Sequence, residues 1–414
     1  MDISKKDQAV LRELGHRYAE AAALDCQEKK REEWKKLNRL EETRPLVMID
    51  QLPWNELNTE HQLDLKCEDP FLRELEDYLR KTLYKWEHFP VDMVIAPYIP
   101  VPKIVTGTGF GAEIKETIQV TDSANDVVSH EYQDVLSSEE DLEKLHPAKV
   151  VYDQRTTLEH KAAAEQIFQG ILPVKLTGQC PEFRVWDELS MLRGITPILY
   201  DFVDRPEFIH ETMQKFTSLQ IDLLRQFEEL NLLEDDQQTI HCSGAFTDEL
   251  AKRKSENDKI LGTDCWAYGM AQLFSSCSVE MHEEFEIAYA KQYYEHVGLV
   301  YYGCCEPLHN KIDIIRQIPN VRKISISPWA DPDIAAESMG RDYVLSRKPT
   351  PAFLASSSMD ETVITQEIKK TLEACKRNHT PCEFILKDLS TVHYEPERLT
   401  RWANIVQDVI GRYD

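Results

Sequence analysis

Apolar positions along this chain recur in two rhythms. From Asp69 to Trp86 (DPFLRELEDYLRKTLYKW) they return every three or four residues, the spacing of one buried helical face, with Asp69 placed as N-cap and Pro70 at the first helical position. From Leu299 to Tyr302 and from Arg322 to Ser327 they form short aromatic and β-branched blocks, which read as buried strands. Between those blocks lie Gly303-Cys304-Cys305-Glu306 and a helical stretch, Asn310 to Gln317. Strand, loop, helix, strand is the repeating unit of a parallel sheet.

The same alternation extends in both directions. Ser4 to Glu42 reads as one or two charged helices, Pro45 to Asp50 as a short strand or extended link, and Val91 to Ala96 as a strand closed by Pro97. Gly107 to Gly111 (GTGFG) is turn chemistry, since no Lys-Ser/Thr follows it. Residues 112–160 are polar and poorly periodic. Helix Ala162–Gln169, strand Leu172–Leu176, helices Trp186–Leu192 and Ile195–Phe202, and a long helix Pro206–Leu230 capped by Asp204 come next. Thr239–Ser243 reads as a strand end, Val279–Val297 as a helix, Tyr343–Ser346 as a strand, Asp360–Asn378 as a helix, Glu383–Leu386 as a strand and Pro396–Arg412 as the last helix. Alternation at a spacing of roughly thirty residues predicts an α/β protein, a (β/α)8 TIM barrel. Residues 1–60 would be an N-terminal helical arm or cap, suited to homodimer contacts, and residues 61–414 the barrel, with an inserted subdomain around 107–160.

Charge narrows the partners. The 414 residues carry 48 basic and 73 acidic side chains, a formal net charge of -25, which argues against nucleic acid or an anionic membrane as the main partner. No apolar run approaches the ~20 residues of a membrane span. The N-terminus has no signal-peptide core, so the expected location is cytoplasmic. Ten cysteines are scattered without a CxxC pair, as in a reducing compartment.

In a barrel the strand ends converge on one mouth. Here those ends carry His241-Cys242, Cys304-Cys305-Glu306, Ser327-Pro328-Trp329, Arg347-Lys348 and Lys387-Asp388. Soft and hard donors together suit Zn²⁺ with an open position, and Cys305 and His241 are the candidate metal ligands. Neighbouring residues on a strand point to opposite sides, so Cys305 is expected in the mouth and Cys304 in the packing. Asp388 and Glu306 are candidate acids or ligands, and Lys348 and Lys387 candidate anchors for an anionic group. Trp266, Trp329 and Tyr302 are candidates to line a flat pocket. His282 and His309 read as structural.

Ser278 to Glu306 (SVEMHEEFEIAYAKQYYEHVGLVYYGCCE), followed by SISPW, KPTPA and the final ILKDLSTV run, resembles the uroporphyrinogen decarboxylase-like superfamily over roughly residues 160 to 414. The N-terminal portion, with PWNELN and LYKWEHFPVDMVIAPYIPVPK, is similar to a subgroup of long, often anaerobic bacterial relatives. The resemblance implies the (β/α)8 barrel and either decarboxylation or zinc-dependent methyl transfer involving corrinoid cofactors. The arginine-rich motif of the true decarboxylases is absent before residue 110. Of the His-x-Cys zinc motif of the methyltransferases, Gly303 stands at the histidine position and Cys305 at the cysteine position. Near the last strand the candidates are Asp388 and Cys382. The expectation is therefore a methyltransferase that moves a methyl group from a small methylated substrate, such as a methoxylated aromatic, to a corrinoid carried by a corrinoid-binding protein. The alternatives are decarboxylation of a polycarboxylate and a barrel that binds a corrinoid or tetrapyrrole without chemistry.

Overall fold

A computed structural model describes residues 3–120, 128–255 and 258–413. The remainder of the expected insertion, residues 121–127, lies outside the described residues, as do residues 1, 2 and 414 at the ends of the two expected domains.

The fold is mixed α/β around a parallel seven-stranded sheet and is TIM-barrel-like. In spatial order the strands are Leu46–Ile49, Cys382–Leu386, Val344–Arg347, Val321–Ile326, Leu299–Tyr302, Trp266–Gly269 and Glu182–Phe183, and neighbouring strands run parallel. A further parallel pair, Ile99–Pro102 with Val174–Thr177, lies between the two edges in chain order. Among the described residues the ladder does not run unbroken around a closed barrel, which is where the structure departs from the expected (β/α)8 regularity.

One departure has a clear cause. Val91 to Ala96 is not a strand, because its backbone groups find partners elsewhere. Asp92 N–H donates to Val47 O at 2.8 Å, Trp34 Nε1 donates to Asp92 O at 2.8 Å, and Ile95 N–H donates to Gln27 Oε1 at 2.9 Å. Side chains of the N-terminal helices have taken the role of a ladder. Those helices, Lys5–Ala22 and Asp25–Asn38, pack through these contacts. Trp34 is fully buried, Asn38 Nδ2 donates to Gly244 O and Phe246 O at 3.1 and 2.8 Å, and the strand Leu46–Ile49 forms one edge of the sheet beside Cys382–Leu386. Asp69 caps helix Pro70–His88 as its sequence demands, accepting from Leu72 N–H at 3.1 Å. Helix Pro206–Glu229, by contrast, has Arg205 rather than Asp204 at its N-cap and no side-chain cap bond.

Strand alternation divides the core in two. Val300, Tyr302, Ile324, Ile326, Phe384 and Leu386 join the main core beneath the helices. Trp266, Leu299 and Tyr301 form a smaller inner core with Ile240 and Ala245. The inner layer also holds a fully buried ion pair: Lys323 Nζ lies 2.8 Å from Glu383 Oε2, and it also donates to Ser243 Oγ at 2.6 Å and Gly244 O at 3.2 Å. No helix among the described residues is long and apolar enough to cross a membrane.

Candidate active site

Gly303 decides how the strand Leu299–Tyr302 ends. Its φ is +93°, and a Cβ there would meet Leu308 Cδ1 at 2.4 Å, so only glycine fits. The turn places Cys304 Sγ and Cys305 Sγ on the same side, 3.5 Å apart. The expected opposition of the two thiols is corrected by this turn, since residues 304 and 305 are no longer strand. Two bonds fix the loop: Glu306 Oε2 accepts from Cys304 N–H at 2.9 Å, and Ser325 Oγ donates to Cys304 O at 2.7 Å.

Lys387, at the end of the strand Cys382–Leu386, completes the cluster. Its Nζ lies 3.0 Å from Cys304 Sγ and 3.3 Å from Asp388 Oδ2, and Cys305 Sγ lies 3.5 Å from the same Asp388 oxygen. Cys304 is held well below the ordinary thiol range, first by the hydrogen bond from Cys305 and then by His241 and Lys387, against the opposing effect of burial. Cys305 is pushed up by that shared bond and by burial. The close contact of the two sulfurs, with Lys387 on the Cys304 side, favours the thiolate on Cys304 over Cys305. Burial opposes the charge on Lys387, but Cys304 and Asp388 outweigh it and raise its pKa.

The segment expected as a strand end, Thr239–Ser243, is a tight antiparallel hairpin, Thr239–Ile240 pairing with Ser243–Gly244. His241 and Cys242 occupy its turn with φ of +41° and +69°. Two-residue hairpin turns of this hand favour Asn-Gly, so a His-Cys pair here is strained. The His241 ring stacks on Tyr268 with centroids 5.4 Å apart and meets Tyr301 at 5.3 Å. Burial pushes His241 down, opposed by the neighbouring Cys304, and its Nε2 is buried without a hydrogen-bond partner.

The other candidate side chains lie at different depths. Glu306 is fully buried and clamps the N–H groups of Cys304 and Ala271 (3.1 Å) rather than facing the mouth. Tyr302 points behind the sheet, its hydroxyl 2.9 Å from His282 Nε2. Trp266 is sealed in the inner core. Lys348 is buried beneath the mouth, bonded to Tyr301 Oη and to Ser346 Oγ at 2.8 Å, and burial pushes it down to about 8. Trp329 alone among the proposed aromatics is open, 77% exposed on the loop after strand Val321–Ile326. The sequence carried a signal for the missed Lys323: in Val321–Ile326 the apolar Ile324 and Ile326 alternate with Lys323 and Ser325, a polar inner face.

The donors do not fit the zinc site that the resemblance implies. Among the described residues no group of three or more His, Cys, Asp or Glu side chains is arranged to hold a metal. Gly303 offers no side chain, and Glu306 is turned away toward the N–H groups of Ala271 and Cys304. The Lys387 ammonium stands where a cation would otherwise bridge sulfur and carboxylate.

Behind the cluster, Glu286 sits in a π-helical turn, Glu283–Ile287, with both carboxyl oxygens buried and unpartnered. Burial, then Glu306 and Asp187, raise its pKa well above the carboxyl range, and burial pushes Glu306 up to about 7. A raised carboxyl pKa means the native state holds the proton longer. Its contribution is complete below the ordinary carboxyl range and is lost as pH rises toward the folded-state value. Glu286→Gln is therefore expected to flatten the loss of stability as pH rises above the ordinary carboxyl range, by about 1.4 kcal/mol per pH unit over the titrating span. Urea unfolding across that range measures it, and parallel curves for the two proteins would refute the assignment.

Comparison with known proteins gives the fold. No family model matches the sequence, and no curated protein does. A solved structure of a methyltransferase from Methanosarcina mazei superposes with a TM-score of 0.50 at 11% identity, covering 93% of this chain and 98% of that one. The chain therefore shares the overall fold of that protein along nearly its whole length.

Proposed function

We propose that this chain is a methyltransferase that takes a methyl group from a small methylated compound and delivers it to a corrinoid carried by a separate protein. The observation that carries this reading is the cluster of Cys304, Cys305, Lys387 and Asp388 at one strand-end mouth. The methyltransferase of like fold supports it. The corrinoid, when docked, supplies the nucleophile that accepts the methyl group.

This chain's residues act on the other end of the breaking bond. A heteroatom that loses its methyl group gains negative charge. Lys387 is a fixed cation, and a preorganised charge of this kind acts most strongly in a site that excludes water. The proton shared by the two thiols is the nearest one available, and the Cys305 S–H, half-open to solvent, is the group placed to offer a hydrogen bond to the leaving atom. Asp388 orients Cys305 and Lys387 together. The exposed Trp329 indole offers an apolar surface at the same end for the substrate or the partner protein.

Mixing the protein anaerobically with a reduced corrinoid protein and a panel of methoxylated aromatics, methylamines and methyl thioethers tests this. A donor-dependent loss of the reduced-cobalt absorbance is expected, slowed by at least about 100-fold in Cys304→Ala. An unchanged spectrum with every donor and every corrinoid partner tried would end the proposal.

A further inference from the structure

We propose that Cys304 and Cys305 form a reversible disulfide with each other, made by exchange with a small disulfide entering the barrel mouth, and that this shuts the site. Geometry carries the disulfide itself, and only its shutting of the site rests on the methyl-transfer reading. The two sulfurs are 3.5 Å apart, and a disulfide needs them to close to about 2.05 Å. They are unequally placed: Cys304 is 5% exposed, whereas Cys305 is half-open. An incoming disulfide therefore meets Cys305 first. Cys305 has two neighbours able to take its proton, Cys304 Sγ and Asp388 Oδ2, both at 3.5 Å. Cys304, behind it, is held by Lys387 Nζ at 3.0 Å, the arrangement of a resolving thiolate.

The steps balance. The pair begins with one proton, which passes from Cys305 to Cys304. The Cys305 sulfur then attacks one sulfur of R–S–S–R, and the bond between the two R-bearing sulfurs breaks. One RS⁻ leaves and takes the proton from Cys304. The Cys304 thiolate attacks Cys305 Sγ, forming the protein disulfide and expelling the second RS⁻. The dithiol loses two electrons, and the small disulfide leaves as one thiol and one thiolate. A disulfide between adjacent residues is strained, which places it among the readily reduced, regulatory kind. Once formed, it removes both the thiolate beside Lys387 and the shared proton.

The test uses the full-length protein, treated with oxidised glutathione in the absence of air, then alkylated and mapped by peptide mass spectrometry. The peptide holding both cysteines is expected to lose two hydrogens and carry no adduct, and a dithiol reductant should reverse this. Cys304→Ser is expected instead to trap glutathione on Cys305. A persistent adduct on Cys305 in the unsubstituted protein, an unreactive peptide, or oxidation mapping only to the buried pair Cys375 and Cys382 would each overturn the proposal. The unsubstituted protein decides the matter by itself if the variant does not fold.

Discussion

Lys387→Met is expected to return Cys304 toward an ordinary thiol. The ammonium 3.0 Å from Cys304 Sγ is the nearest full charge favouring the thiolate, and methionine keeps the length of the side chain without it. The thiolate becomes about tenfold scarcer per pKa unit only where the pKa exceeds the pH, so alkylation of Cys304 is expected to slow, most at the low end of the pH range. Because nine other cysteines are present, the rate must be followed on the peptide that carries Cys304. The pH dependence of that rate should move upward. Methyl transfer, if it follows the proposed course, should fall further, because the same cation faces the leaving atom. An alkylation profile identical to that of the unsubstituted protein would show that Lys387 has no hold on the thiolate.

Lys323→Met is expected to give the largest loss of stability, about 3–5 kcal/mol, because it strands Glu383 without a counter-ion in the inner core. Both side chains are fully buried. The ammonium also stands 4.9 Å from the Trp34 ring and 5.9 Å from the Trp266 ring, so the pair joins the N-terminal helices to the sheet. Adding Glu383→Leu should recover most of the loss, since two apolar side chains can replace a buried ion pair at little cost. Urea unfolding of the single and double variants separates the two contributions. A single variant within about 1 kcal/mol of the parent would refute the stabilising role of the buried pair.

Local rules and the tertiary arrangement each explain part of this molecule. Asp69-Pro70 opened a helix in the sequence and opens one in the structure. Leu299–Tyr302 and its neighbours read as buried strands for the same reason: an apolar block has nowhere to go but between two packed layers. The failures fall where the backbone leaves its usual regions. His241-Cys242 contains none of the residues that announce a hairpin turn, yet it makes one, held by Ser243 on Glu383 at 2.9 Å and by the neighbouring Gly244 against Trp34. Strand alternation carried past Gly303 puts the two thiols on opposite sides, whereas the turn there brings their sulfurs within 3.5 Å.

Period and capping therefore determined the strands, most of the helices and the end of the sheet at which the candidate chemistry lies, because they act between residues a few positions apart. Which thiol is charged, which carboxylate is turned away and which cation stands in the mouth were decided only by tertiary structure. Those outcomes depend on Lys387, His241 and Asp388 approaching Cys304 and Cys305 from separate strands and loops, and on how far each group is removed from water. Electrostatic interaction in a buried site varies with distance and burial over a few ångströms, and neither quantity is written in the order of the residues.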